Sequence, residues 1–93
     1  IVKYSEAEKR IKALSNKYSV NIDKISGFFN VNYKDVETAF VNYYIEYSIG
    51  VMDSNSFYKL PFSNKLFMIL SELAMTPLDE RVEEKKYYVK VNV

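Results

Sequence analysis

Ninety-three residues, 48% of them apolar and 16% aromatic, are enough for one small core and too apolar for a disordered chain. With no Cys, disulfides and thiolate chemistry are excluded; with no His, so are imidazole acid–base work and histidine metal ligation, and no catalytic set, metal or cofactor is expected. The net charge of +1 is segregated, with +4 on residues 1–34, −6 on residues 35–84 and +3 on residues 85–93, which predicts a bipolar surface.

Two Gly and two Pro leave little punctuation, so the expected fold class is all-α: a single domain over 1–93 of four to five short helices, closed by a short C-terminal β-strand. The first helix is expected to begin at Ser5, where Ser5 and Glu8 have capping-box spacing, and to bury Ala7, Ile11, Leu14 and Tyr18. A second helix is expected over about Asn21–Phe29, burying Ile22, Ile25 and Phe29. A third over about Tyr33–Ile49 is apolar around most of its circumference and stops at Gly50. Asp53–Ser56 reads as a loop, and Phe57–Phe62 with Pro61 continues it irregularly.

Ser63 is the expected cap of a fourth helix, Asn64 to about Met75, that turns Leu66, Phe67, Ile69, Leu70, Leu73 and Ala74 inward. Thr76-Pro77 opens a short fifth helix to about Lys86, with Asp79 and Glu80 in its first turn. Tyr87–Val93 changes to a period of two and needs a partner, either Ile1–Tyr4, a strand over Leu78–Val82, or another chain.

Within Ile25–Phe40, Ser26 stands one turn inside a helix and Asn30 follows at a tight-turn position that demands positive φ. Val31 is then a buried plug, Asn32 a cap, and Val36 and Ala39 face back. That spacing resembles the helix-turn-helix superfamily of bacterial and phage DNA-binding proteins over about 20 residues. The resemblance implies a recognition helix whose leading residues Asn32, Tyr33, Lys34 and Thr38 meet double-stranded DNA, while Asp35, Glu37 and Gly27 depart from the pattern. Lys9, Lys12, Lys17 and Lys24 form the accompanying phosphate track, with Arg10 beside them.

Nine Tyr are more than so small a core can bury with satisfied hydroxyls, which suggests a protein partner or a homodimer. Tyr43, Tyr44, Tyr47, Tyr87 and Val89 are the interface candidates. A protein-interaction module docking on a host protein through Tyr-rich and acidic surfaces is the alternative to DNA binding. Asp79, Glu80, Glu83 and Glu84 read as a solvated acidic face offset by Arg81, Lys85 and Lys86. No run is long enough to span a membrane and no leader is evident, so a cytoplasmic location is expected. Frequent Lys, Asn, Ile and Tyr suggest AT-rich codons, as in a low-GC bacterium, its phage or a plasmid. A start on Ile1 and an end on Val93 inside an alternating run suggest part of a longer chain.

Overall fold

In the computed structural model, which describes residues 1–83, the segment expected to hold a bent pair of helices is a meander of β-strands. Helix α1 (Tyr4–Leu14) leads into β1 (Tyr18–Asp23), β2 (Phe28–Tyr33), β3 (Val36–Asn42) and β4 (Ile49–Val51). Helix α2 (Ser54–Phe57), helix α3 (Ser63–Met75) and a 3₁₀ turn (Leu78–Glu80) follow. The strands form one antiparallel sheet in the order β1-β2-β3-β4. The class is therefore α+β, and the all-α expectation is overturned.

The correction rests on period. A helix over Asn21–Phe29 would bury Ile22, Ile25 and Phe29 together, yet Ile25 is 98% exposed at the tip of the β1–β2 turn. Counted in twos, Tyr18, Val20 and Ile22 turn inward opposite Tyr33, Val31 and Phe29. Phe29 and Val31 then meet Val41 and Ala39, which meet Ile49 and Val51. The other face carries Ser19, Asn21, Phe28, Asn30, Asn32, Phe40 and Asn42. β-Branched and aromatic side chains crowd a helix but suit a pleated surface, so the stretch that read as a helix apolar all round is a two-sided strand.

Turn chemistry completes the meander. The Asp23 carboxylate accepts the amides of Ser26 and Ile25 at 3.2 and 3.0 Å, and hydrogen bonding, that of Ser26 foremost, holds its pKa below the usual carboxylate value. Gly27 (φ +89°) closes that turn against the Tyr44 ring, where a side chain has neither the backbone freedom nor the room. The β2–β3 hairpin uses Lys34 (φ 53°) and Asp35 (φ 67°), a two-residue connection with both φ positive. Asn30, expected at positive φ, is an ordinary mid-strand residue between Asn21 and Phe40. A bulge at Val31/Asn32 gives β3 an extra residue, Thr38, whose hydroxyl donates to the Val31 carbonyl at 3.1 Å.

The terminal helices follow their expected stripes. α1 buries Ala7 and Ile11 but begins at Tyr4; Glu6, not Glu8, accepts the amide of the N-cap, Lys3, and the Ser5 hydroxyl donates to Glu83. α3 buries Leu66, Ile69, Leu70, Leu73 and Ala74, while Phe67 faces out and the N-cap is Phe62 rather than Ser63. Asp53–Ser56 is no plain loop: the Asp53 carboxylate caps α2. Thr76 ends α3 instead of opening a fifth helix; its hydroxyl accepts the Val2 amide at 3.0 Å and donates to the Glu72 carbonyl at 2.8 Å. Neither Ile1–Tyr4 nor Leu78–Val82 is a strand. The strand expected over Tyr87–Val93 lies outside the described residues.

α1 and α3 lie together on the inner sheet face, and the core forms between Tyr4, Ala7 and Ile11, the inward strand residues, and Leu66, Leu70 and Leu73. Tyr4 stacks on Phe29 and on Tyr43, with ring centroids 5.6 and 4.6 Å apart. The Tyr18 hydroxyl donates to the Pro61 carbonyl at 2.7 Å, and burial, reinforced by the neighbouring Tyr33 phenol, pushes its pKa up to about 12. A folded value above the unfolded value of 10.0 means that this stabilisation is complete below pH 10 and is lost as pH climbs toward 12. Alkaline unfolding followed by circular dichroism should therefore steepen across that interval in the parent and flatten in Tyr18→Phe. An unchanged alkaline limb in the variant would remove Tyr18 as its cause.

Candidate functional site

The β2–β3 turn leaves Val36 and Glu37 at the start of β3, beyond the reach of β4, which pairs only with Ala39, Phe40 and Val41. Met52, whose amide donates to the Thr38 carbonyl at 2.9 Å, carries the chain across this gap into α2. Between the two walls lies a groove of about 450 Å³. Its lining is chiefly apolar: Tyr33 and Val36 on the hairpin side, Met52, Phe57 and Leu60 opposite. Val36 and Met52 are 65% and 54% exposed, so both walls present apolar surface to solvent.

The walls are held from behind. Phe57 meets Phe67 of α3 edge-on at 6.2 Å, and the Asp53 carboxylate accepts the Asn55 amide at 3.1 Å and the Ser56 hydroxyl at 2.9 Å. Asp53 is thereby committed to its helix cap. Glu37, also on the rim, forms no ion pair with any described residue. Lys34 extends over the Tyr33 ring at 5.7 Å. Among the described residues no three Asp or Glu side chains gather where a metal ion could be held.

The predicted DNA-contact residues do not share one face. Tyr33, Lys34 and Thr38 come together, but as lining of the groove and not as the leading end of a helix. Asn32 is on the outer sheet face opposite Glu37. Lys17 lies beside Lys34, whose amide donates to the Lys17 carbonyl at 2.9 Å, while Lys24 is in the β1–β2 turn at the far end of β1. That is about 20 Å of strand away. Lys9 and Lys12 are on α1, where Lys12 pairs with Glu8 at 2.9 Å and the neighbouring Arg10 with Glu72 at 3.2 Å. The groove-reading mechanism thus has neither its helix nor a continuous basic track.

The tyrosines divide as well. Tyr43 is half-buried in the stack with Tyr4 and accepts that residue's hydroxyl through its carbonyl at 3.3 Å, so it belongs to the interior packing. Tyr44 and Tyr47 are exposed, the former donating its hydroxyl to the Lys24 carbonyl at 2.8 Å. Tyr87 and Val89 lie outside the described residues. Sequence reasoning overlooked Val36, Met52, Phe57 and Leu60 as a site because the helix reading placed Val36 inside, the loop reading made Phe57 and Leu60 connectors, and Met52 fell between the two.

Comparison of the chain with protein-family models, curated proteins and solved structures finds no match. Among the described residues no helix is long and apolar enough to cross a membrane.

Proposed function

We propose that this chain is a non-enzymatic protein-interaction module whose groove between the β2–β3 hairpin and α2 takes up apolar side chains from a partner's peptide segment. The single observation that carries this reading is the exposed pair Val36 and Met52 on opposite walls of a groove also lined by Tyr33, Phe57 and Leu60. A cleft of about 450 Å³ suits two or three bulky side chains, and Glu37 on its rim, which pairs with no described residue, favours a basic neighbour in the ligand. The walls are fixed by the Asp53 cap and the Phe57–Phe67 contact, so little ordering cost falls on binding.

Selection of peptides from a random library against the full chain tests the reading. The expected consensus has bulky apolar residues with a Lys or Arg next to them, and amide shift changes centre on Val36, Met52 and Phe57. Val36→Glu and Met52→Glu should each weaken the selected peptide by about tenfold or more while leaving thermal stability nearly unchanged, since both side chains face solvent. Selected peptides that bind elsewhere, or that are indifferent to both substitutions, would sink the assignment. Duplex DNA at low salt serves as the control for the electrostatic alternative.

A further inference from the structure

Among the described residues strand β1 forms one border of the sheet, and its own sequence lacks the devices that normally keep a border from pairing. Its stretch Ser19–Ile22 carries no Pro and no charge, and its register with β2 runs without a bulge. The opposite border, β4, is only three residues long and passes directly toward α2. The bond from the Lys34 amide to the Lys17 carbonyl sets the phase of the β1 backbone. Antiparallel alternation then points residues 19, 21 and 23 at β2, and residues 18, 20 and 22 away from it. The Val20 and Ile22 amides and carbonyls accordingly face outward, with no backbone partner among the described residues.

We infer that β1 is a dimerisation edge whose occupant is β1 of a second copy, antiparallel about a two-fold axis at Val20. Two constraints restrict the axis to Tyr18, Val20 or Ile22, and of these Val20 pairs the longest stretch of the strand. Core-facing residues must meet core-facing residues, so the axis has to pass through a residue and not between two. Centred on Val20, outward backbone groups meet outward groups: Val20 exchanges both bonds with Val20 of the second copy, and each Ile22 amide reaches the opposite Tyr18 carbonyl. The same register sets Lys17 directly opposite Asp23, once on each side of the axis, so the charges at the two ends of β1 are complementary. Centring on Asn21 would put Asp23 opposite Ser19 and leave Lys17 beyond the strand, opposite Ile25. On the inner face the half-buried Val20 and Ile22 gain apolar neighbours across the seam. On the outer face Ser19 stands opposite Asn21.

The chain has no Cys, which makes register readable by cross-linking. Ser19 and Asn21 across the seam would be about 4.5 Å apart at Cα, within disulfide reach, whereas two copies of either residue would be about 8 Å apart. With full-length chains, mixed Ser19→Cys and Asn21→Cys proteins should therefore oxidise to a linked dimer far more readily than either alone. Sedimentation of the unmodified protein from about 10 μM to about 1 mM should show mass rising toward twice the monomer value. Ser19→Lys/Asn21→Lys, which sets like charges across the seam on solvent-facing positions, should weaken dimerisation by about tenfold or more with an unchanged circular dichroism spectrum. The Val20 and Ile22 amides should resist hydrogen exchange only at the higher concentrations. A monomer at every concentration, equal cross-linking by Asn21→Cys alone, or concentration-independent protection of those amides, as when residues 84–93 cover the edge in the same chain, would each overturn the inference.

Discussion

Replacing Arg81 by Met should lower unfolding free energy by about 3–5 kcal/mol, a large share of the roughly 5–15 kcal/mol that holds a small domain together. Arg81 is fully buried, with no carboxylate in salt-bridge range among the described residues. Its charge is met by dipoles instead. Nε donates to the Thr76 carbonyl at 2.9 Å and Nη2 to the Ala74 carbonyl at 3.1 Å, which places the cation at the C-terminal end of α3, where the helix dipole favours it. Nη1 donates to the Asn42 carbonyl at 2.8 Å and to the Tyr4 hydroxyl at 3.0 Å, and the guanidinium carbon lies 5.7 Å from the Tyr4 ring centroid.

One side chain therefore ties α1, the end of β3 and the end of α3 together. The Arg81 carbonyl adds to this by accepting the Tyr4 amide at 2.7 Å. Met fills comparable volume but takes the donor from the Thr76 and Asn42 carbonyls and from the Tyr4 hydroxyl, each loss costing about 1–3 kcal/mol before relaxation, while the Ala74 carbonyl keeps the Tyr47 amide at 2.8 Å. Lys should recover less than half of the loss, since a compact ammonium cannot reach divergent acceptors as a planar fork does. Urea unfolding followed by circular dichroism gives the values. A loss below about 1 kcal/mol for Arg81→Met would show that water or rearranged groups satisfy these acceptors at little cost.

The adjacent pair Phe28 and Phe29 supplies the second large effect. Phe29 is fully buried, stacked on Tyr4 and opposite Ile22 and Val41, so Phe29→Ala should cost about 3–5 kcal/mol. Phe28 lies on the outer face, edge-on to Phe40 at 5.2 Å, and Phe28→Ala should cost only about 0.5–1.5 kcal/mol. Strand geometry demands that asymmetry between neighbours. Equal losses from the two substitutions would contradict the register of β2.

How much was legible from sequence differs along the chain for identifiable reasons. In α1 and α3, Ala7 and Ile11, then Leu66, Ile69, Leu70 and Leu73, repeat at helical spacing; α3 stands within a residue of expectation, whereas α1 starts one residue early and ends at Leu14, so that Tyr18, counted in its stripe, opens β1 instead. Between Tyr18 and Asn42 both periods are present: Ile22, Ile25 and Phe29 satisfy a helix, while Val20, Ile22, Phe29 and Val31 satisfy strands. The usual hairpin signal was also missing, because Lys34 and Asp35 occupy the positive-φ positions where Asn-Gly is the common choice. The groove was invisible for a further reason. Its walls, Val36 on one side and Met52 and Phe57 on the other, face each other only once β4 stops short of the start of β3.

Composition alone established that the chain can build a core and that it lacks thiol and imidazole chemistry, and local periodicity alone placed the two long helices. Helices are specified by contacts a turn apart, so their signal survives in a short window. The choice of strand over helix in residues 18–42, the burial of Arg81 and the groove were decided by tertiary structure. Each depends on partners far away in sequence, such as Tyr18 packed edge-on to Tyr33 or Arg81 bonded to Tyr4, whose contacts and shared burial outweigh the weak local preference for a helix.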